Sequence, residues 1–405
     1  MQRSLERDER NRGGRVAKSA TPLFFYGFRP FFFGAAFWAV SAMAIWIGTI
    51  GGLWAAGQGY GALAWHAHEM IFGYTAAVVA GFLLTMVPNW TGHLPVAGWR
   101  LILLFLLWCA ARVAFLVTGV TGPLPAVVLD SLFLPCLFLV VAREIVVGRN
   151  WRNLKPLILV AFLAAANIGF HAEVLTSGTS SIGSRVGIAA IVGLIILIGG
   201  RIVPSFTHTW LMRMGSKRLP VSFDRFDLVT LVASVIALVL WVVMPVAIVT
   251  GIVFFAAAVL QSVRLWRWVG VHAWREPFVL ILHIGYAFVP LGFLLGAIAI
   301  FEPSSFIGSE PLHAWTTGAI GLMTLAIMTR ATRGHAKRSL NASRTTLVIF
   351  GSVIAAALLR VGAGLVPAMH GTLVELAGTA WMAAFGLFVV EYGPMLFGAR
   401  LERAD

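Results

Sequence analysis

The chain has 405 residues, 59% of them hydrophobic and only 11% charged, with a formal net charge of +14. Soluble domains run at about 45–50% apolar and about 25% charged residues, so this composition excludes an ordinary soluble globular protein and points to an integral membrane protein. The positive charge calls for no nucleic acid, because basic loops facing anionic lipid account for it.

The apolar runs are continuous rather than alternating, which predicts an all-α polytopic membrane helix bundle and not a barrel. Residues 1–27 mix arginines with Glu6, Asp8 and Glu9 and have no short apolar core ending in a cleavage site, so they read as a cytoplasmic polar tail. Spans follow near 30–50, 67–88, 101–118, 124–142, 157–175, 186–204, 227–244, 246–265, 278–300, 313–330, 346–366 and 376–397, within a single domain over 28–398. Residues 399–405 form a short cytoplasmic tail. Met244-Pro245 is either a tight turn between two short helices or a kink in one long helix. Charge decides between them. With twelve spans and both termini cytoplasmic, 27 of the 30 Lys and Arg fall on the inner side, and merging 227–265 would invert every later loop. Cys109 and Cys136 lie in separate spans with no partner spacing and read as small buried hydrophobes.

The ten histidines sort by depth. His66, His68, His171, His313 and His370 fall at the outer level. His93, His208, His272 and His335 lie in or beside inner loops, and His283 sits in the inner half of the ninth span. One histidine at a helix end is an interfacial polar residue as readily as a ligand. Several from different helices at one depth suggest a metal site, since ionisable groups inside a membrane are costly when idle and imidazole serves both haem iron and copper. The dipeptide His-Ala recurs at 66, 171, 272 and 313, and again at 335, a weak hint of an internal repeat.

Arg112, Arg185 and Arg360 oppose the inward bias of the other basic residues. Two readings stand for them: pairing with haem propionates, or pairing with Glu69, Asp130, Glu173 or Glu375 at similar depth. At about 100° per residue, His66, Glu69, Gly73, Ala77 and Gly81 share one face of the second span, whereas His68 points elsewhere. Either one helix end serves two sites, or the helix begins after His66. The proline-bearing stretches V-P-N-W-T-G (87–92) and G-R-I-V-P-S-F (200–206) are expected to end spans two and six.

The strings W-H-A-H-E-M-I-F-G-Y (65–74), G-F-L-L-T-M-V-P-N-W-T-G (81–92), N-I-G-F-H (167–171), G-G-R-I-V-P-S-F-T (199–207), H-I-G-Y (283–286), H-A-W-T-T-G-A-I-G-L-M-T-L-A-I-M-T-R-A-T-R-G-H (313–335) and E-Y-G-P (391–394) resemble the NnrS family. The resemblance spans nearly the whole chain. It implies a twelve-helix bacterial inner-membrane protein that contains haem and copper and is linked to nitric oxide and denitrification, with a distant likeness to haem-copper oxidases. No adjacent histidine pair of the oxidase kind occurs here.

On this resemblance His66, His68, His171, His313 and His283 are the expected metal ligands, with Arg112, Arg360 and Glu69 beside the cofactor. The leading expectation is a haem- and copper-binding protein of the response to nitric oxide, whose partners are the lipid bilayer, nitric oxide or a related small molecule, and a redox partner the sequence does not identify. A nitric-oxide-reducing enzyme is the first alternative, with Glu69, Glu173 and Glu375 as proton carriers. A secondary transporter of a metal ion or small anion is the second.

Overall fold

The structure, a computed structural model, describes residues 22–92, 94–306 and 310–398. His93 and most of the two polar tails lie outside them. Twelve helices are long and apolar enough to cross a membrane, and no strand occurs among the described residues. In chain order they are α1 Phe28–Ile50, α2 Ala62–Pro88, α3 Trp99–Leu116, α4 Leu124–Val147, α5 Leu154–Ser177, α6 Ile182–Arg213, α7 Arg225–Val243, α8 Ile248–Trp266, α9 Pro277–Phe301, α10 Pro311–His335, α11 Arg344–Gly362 and α12 Pro367–Phe397.

Met244-Pro245 is a turn, as the distribution of basic residues requires. α7 closes with Met244 N–H on the Leu240 carbonyl at 2.7 Å, and the Thr250 hydroxyl reaches back to the Met244 carbonyl at 2.7 Å, which satisfies the backbone at the break. The stretch 87–92 ends the second span as expected, and the stretch 200–206 does not end the sixth. Helix continues past Pro88 to Thr91, where Gly92 takes the left-handed conformation (φ 75°) and caps it. α6 likewise runs through Pro204 to Arg213. A π-helical stretch at Ile195–Gly199 lies one turn before that proline, and the Ile196 carbonyl within it accepts from Arg264. Widened turns of this kind accommodate a proline without breaking a membrane helix.

The chain divides into two compact units. The first contains residues 1–179, 331–339 and 388–405, and the second residues 180–330 and 340–387. In the first unit α1 packs on α2, α3 on α4, and α4 on both α2 and α5. Arg29 donates to the carbonyls of Pro22, Leu396 and Gly398, so a cation closes the C-terminal end of α12, where helix carbonyls have no partner of their own.

In the second unit α8 lies between α7 and α9, and α10 packs on α9 and α11. Its apolar centre is Trp315, edge-on to Trp241, Phe254 and Phe293, with the indole N–H on the Val289 carbonyl at 3.0 Å. At another level of the same unit a buried ion pair joins helices: Arg264 Nε donates to Asp227 Oδ1 at 2.8 Å and its Nη1 to the Tyr286 hydroxyl at 3.0 Å, while Tyr286 donates to Gln261.

Helices α2 and α10 share one local plan. Each opens with a short α-helical stretch that ends in a histidine, His68 or His313, followed by a seven-residue π-helix, Glu69–Thr75 or Ala314–Ile320. The two fall in different units.

Removing one partner of a buried pair leaves an uncompensated charge, so Asp227→Asn is expected to lower stability by about 3–5 kcal/mol. Replacing both partners, as Arg264→Met with Asp227→Leu, should restore most of that loss. Denaturation midpoints of the three proteins in one detergent check this.

Candidate metal centre

The candidate centre belongs to the first unit and starts from the π-helix of α2. A π turn shifts the backbone bonding from i+4 to i+5 and changes which side chains share a face. Here it presents the Gly73 carbonyl to Trp108 Nε1 at 2.9 Å and sets Glu69 toward α1 and α3. Gly73 permits this because a Cβ there would stand 2.5 Å from Arg112 Nη1 and 2.8 Å from Glu69 Oε2.

Glu69 Oε2 accepts from Trp38 Nε1 and Arg112 Nη1, each at 2.6 Å, and its Oε1 faces His68 Nδ1 at 3.0 Å. The second guanidinium nitrogen, Arg112 Nη2, is paired with Asp130 Oδ1. Three groups then meet on the other oxygen of that carboxylate, Asp130 Oδ2: Asn167 Nδ2 at 2.7 Å, His68 Nε2 at 3.1 Å and His171 Nε2 at 3.1 Å. His68 Nε2 also lies 3.0 Å from Asn167 Oδ1, and His171 Nδ1 is 2.8 Å from the Tyr60 hydroxyl.

The cluster is dry. His68 and Glu69 are 0% exposed, Asp130 1%, His171 2% and Arg112 2%. Phe72, Phe115 and Phe170 surround the His68 ring with centroids 4.8–5.4 Å away, and the two imidazoles lie 4.6 Å apart. Two carboxylates face one guanidinium, so the formal charge of the three is one unit negative. In such surroundings a negative excess favours a bound cation strongly.

His68, Asp130 and His171 are a three-donor set whose ligand atoms all lie within 4.8 Å of one another. An ion about 2.0–2.2 Å from nitrogen and oxygen donors in tetrahedral array needs them roughly 3.4 Å apart. Both nitrogen-to-Oδ2 separations, at 3.1 Å, are within a few tenths of that. The same separations serve hydrogen bonds when no ion is held. The outer nitrogen of each imidazole is already engaged, His68 by Glu69 and His171 by Tyr60, which is how metal-ligating histidines are oriented.

The expected site residues separate. Helix α2 begins at Ala62, before His66, so His66 is helical and the alternative of a later start does not hold. His66 stacks on Trp46 at 4.3 Å with 13° between planes, while His68 joins the carboxylates. One helix end thus faces two neighbours. Arg112 follows the carboxylate reading, with Glu69 and Asp130 as its partners. His283, His313 and Arg360 belong to the second unit, where His283 Nε2 meets the Thr207 hydroxyl at 2.8 Å.

Sequence reasoning offered Asp130 as an arginine partner but not as a ligand, and did not propose Asn167, Tyr60 or Trp38 at all. Two carried a signal. Asp130 is an acid inside an apolar run, and Asn167 precedes His171 by one helical turn on the same face.

Comparison with known proteins gives one family. The model described as NnrS protein matches residues 22–400, and no curated protein matches the chain.

Arg112→Leu leaves Glu69 and Asp130 buried without their cation and is expected to destabilise the protein by about 3–5 kcal/mol. Adding Glu69→Leu removes one of the stranded charges and should recover part of the loss. The comparison is read from thermal midpoints in one detergent, and equal midpoints for wild type and Arg112→Leu would contradict it.

Proposed function

The chain belongs to the NnrS family, a multi-pass membrane protein of the response to nitric oxide, and from that membership and the buried triad we propose that it holds copper on His68, Asp130 and His171. The observation that carries this reading is the meeting of two imidazole Nε2 atoms on one carboxylate oxygen, inside a pocket with excess negative charge. Imidazole suits copper, and copper stands at the top of the affinity order for such donors. Bound copper would supply a redox-active centre able to take up nitric oxide. The chain's own residues perform the rest: Glu69 and Tyr60 orient the rings, Arg112 offsets the second carboxylate, and the phenylalanines exclude water.

Haem rests on the family alone. His68 and His171 direct their Nε2 atoms at the same oxygen, so this arrangement does not set them on opposite faces of one haem. We place the protein in the bacterial inner membrane with both termini cytoplasmic, supported by the asymmetry of its basic residues.

The reading favours binding and response over turnover. Glu69, the nearest proton carrier for a reductase, has both oxygens engaged by Trp38, Arg112 and His68.

Elemental analysis of the purified full-length protein tests the assignment. His68→Ala, His171→Ala and Asp130→Asn are expected to reduce copper to background, whereas His66→Ala and His313→Ala retain it. Copper kept by the triad variants and lost from the other two would overturn the assignment.

A further inference from the structure

We propose that Tyr60 is a positioning residue of the metal centre, fixing the His171 ring through Nδ1 so that Nε2 faces the ion; this rests on the triad being the metal site. Tyr60 lies one residue before the glycine that caps α2, in the connection from α1, yet it is buried and its hydroxyl stands 2.8 Å from His171 Nδ1. That hydrogen bond is the one the hydroxyl makes among the described residues.

The connection is shaped to deliver this side chain. Gly57, Gly59 and Gly61 all have positive φ, at 61°, 75° and 92°, conformations that residues with a Cβ adopt only under strain. The amides of Tyr60 and Gly61 both donate to the Gly57 carbonyl at 2.8 Å, and Trp65 N–H donates to the Gly61 carbonyl at 2.8 Å, so the turn runs directly into α2. A Cβ on Gly57 would stand 2.6 Å from Trp65 Cβ. Alternating glycines around one tyrosine turn the backbone inward at that point. The ring is then held edge-on by Phe115 at 5.2 Å and by His171 at 5.9 Å.

Hydroxyl chemistry suits both states of the ligand. In the hydrogen-bonded state His171 Nε2–H donates to Asp130 Oδ2, and Nδ1 accepts from the Tyr60 hydroxyl. An ion held on Nε2 would leave the ring hydrogen on Nδ1, which would then donate to Tyr60 Oη. A hydroxyl both donates and accepts, so one contact holds the ring in place through the exchange of tautomers. A bare phenyl ring fills the same space and does neither. Partners of this kind typically govern 10–100-fold in metal affinity.

The test uses full-length protein in detergent loaded with Cu(II) alone, comparing wild type with Tyr60→Phe. The variant is expected to bind Cu(II) roughly 10–100-fold more weakly against a chelator. Pulsed electron paramagnetic resonance should show altered quadrupole frequencies for the remote nitrogen of one of two imidazoles, a signature that simple loss of packing does not produce. Unchanged affinity and an unchanged remote-nitrogen spectrum would overturn the proposal. Should Tyr60→Phe not fold, Gly59→Ala, which strains the turn while keeping the hydroxyl, is expected to give the same spectral change, and a wild-type spectrum from it would equally overturn the proposal. If His171→Ala binds Cu(II) as wild type does, the metal reading itself falls. The nitrogen-15 shift of His171 Nδ1 in metal-free wild type and Tyr60→Phe then decides the positioning claim alone, with identical shifts overturning it.

Discussion

Arg112 bridging two buried carboxylates is the interaction on which the first unit depends. Glu69 comes from α2 and Asp130 from α4, and the guanidinium on α3 reaches both. A charge without a partner is expensive in an apolar interior, so each member fixes the depth and rotation of its helix relative to the others. Trp38 adds α1 to the arrangement, and Asn167 and His171 add α5. All five helices before residue 179 therefore contribute a polar side chain to one closed network. The histidines are placed as a consequence: once Glu69 and Asp130 are set by Arg112, His68 is held between them.

The second unit uses the same device to another end. There Arg264 pairs with Asp227 and bonds Tyr286 and the Ile196 carbonyl inside a π-helix. A buried arginine beside a widened turn is common to both clusters. In the second, Arg267 approaches the other Asp227 oxygen, the phenol, amide and hydroxyl of Tyr286, Gln261 and Ser234 bond one another, and no imidazole joins these bonds among the described residues. Where the first unit places His68 before its π-helix with carboxylates around it, the second places His313 before its own and fills the space beyond with Trp315 and its aromatic neighbours. The difference between a candidate ion site and a packing core lies in these side chains, on a shared backbone plan.

Much of the fold was legible because membrane helices declare themselves through length and composition, and the basic residues resolved the one ambiguous break at Met244-Pro245. Helix ends were harder to read. The proline-bearing stretches at 87–92 and 200–206 suggested termination, and the second span does end within the first of them, capped by Gly92, whereas α6 runs through Pro204 to Arg213. The site was legible as residue types and not as a constellation. Counting 100° per residue assigned His66 to the face of Glu69, yet it is the neighbouring His68 whose Nδ1 faces the Glu69 carboxylate, a contact between adjacent side chains that a face count does not show. Depth could be estimated for Arg112, but depth does not choose between a propionate and a carboxylate. Tyr60 was hidden because it lies outside the span, in a connection whose glycines look like ordinary loop composition until their φ angles are known.

The central claim is that an ion is held by two imidazoles and one carboxylate, without sulfur. X-ray absorption at the copper edge of the loaded full-length protein addresses it most directly. The account predicts a nitrogen and oxygen shell at about 2.0–2.2 Å with outer scattering from two imidazole rings. A sulfur shell near about 2.3 Å, as Cys109 or Cys136 would supply, or scattering from fewer than two imidazoles would contradict it.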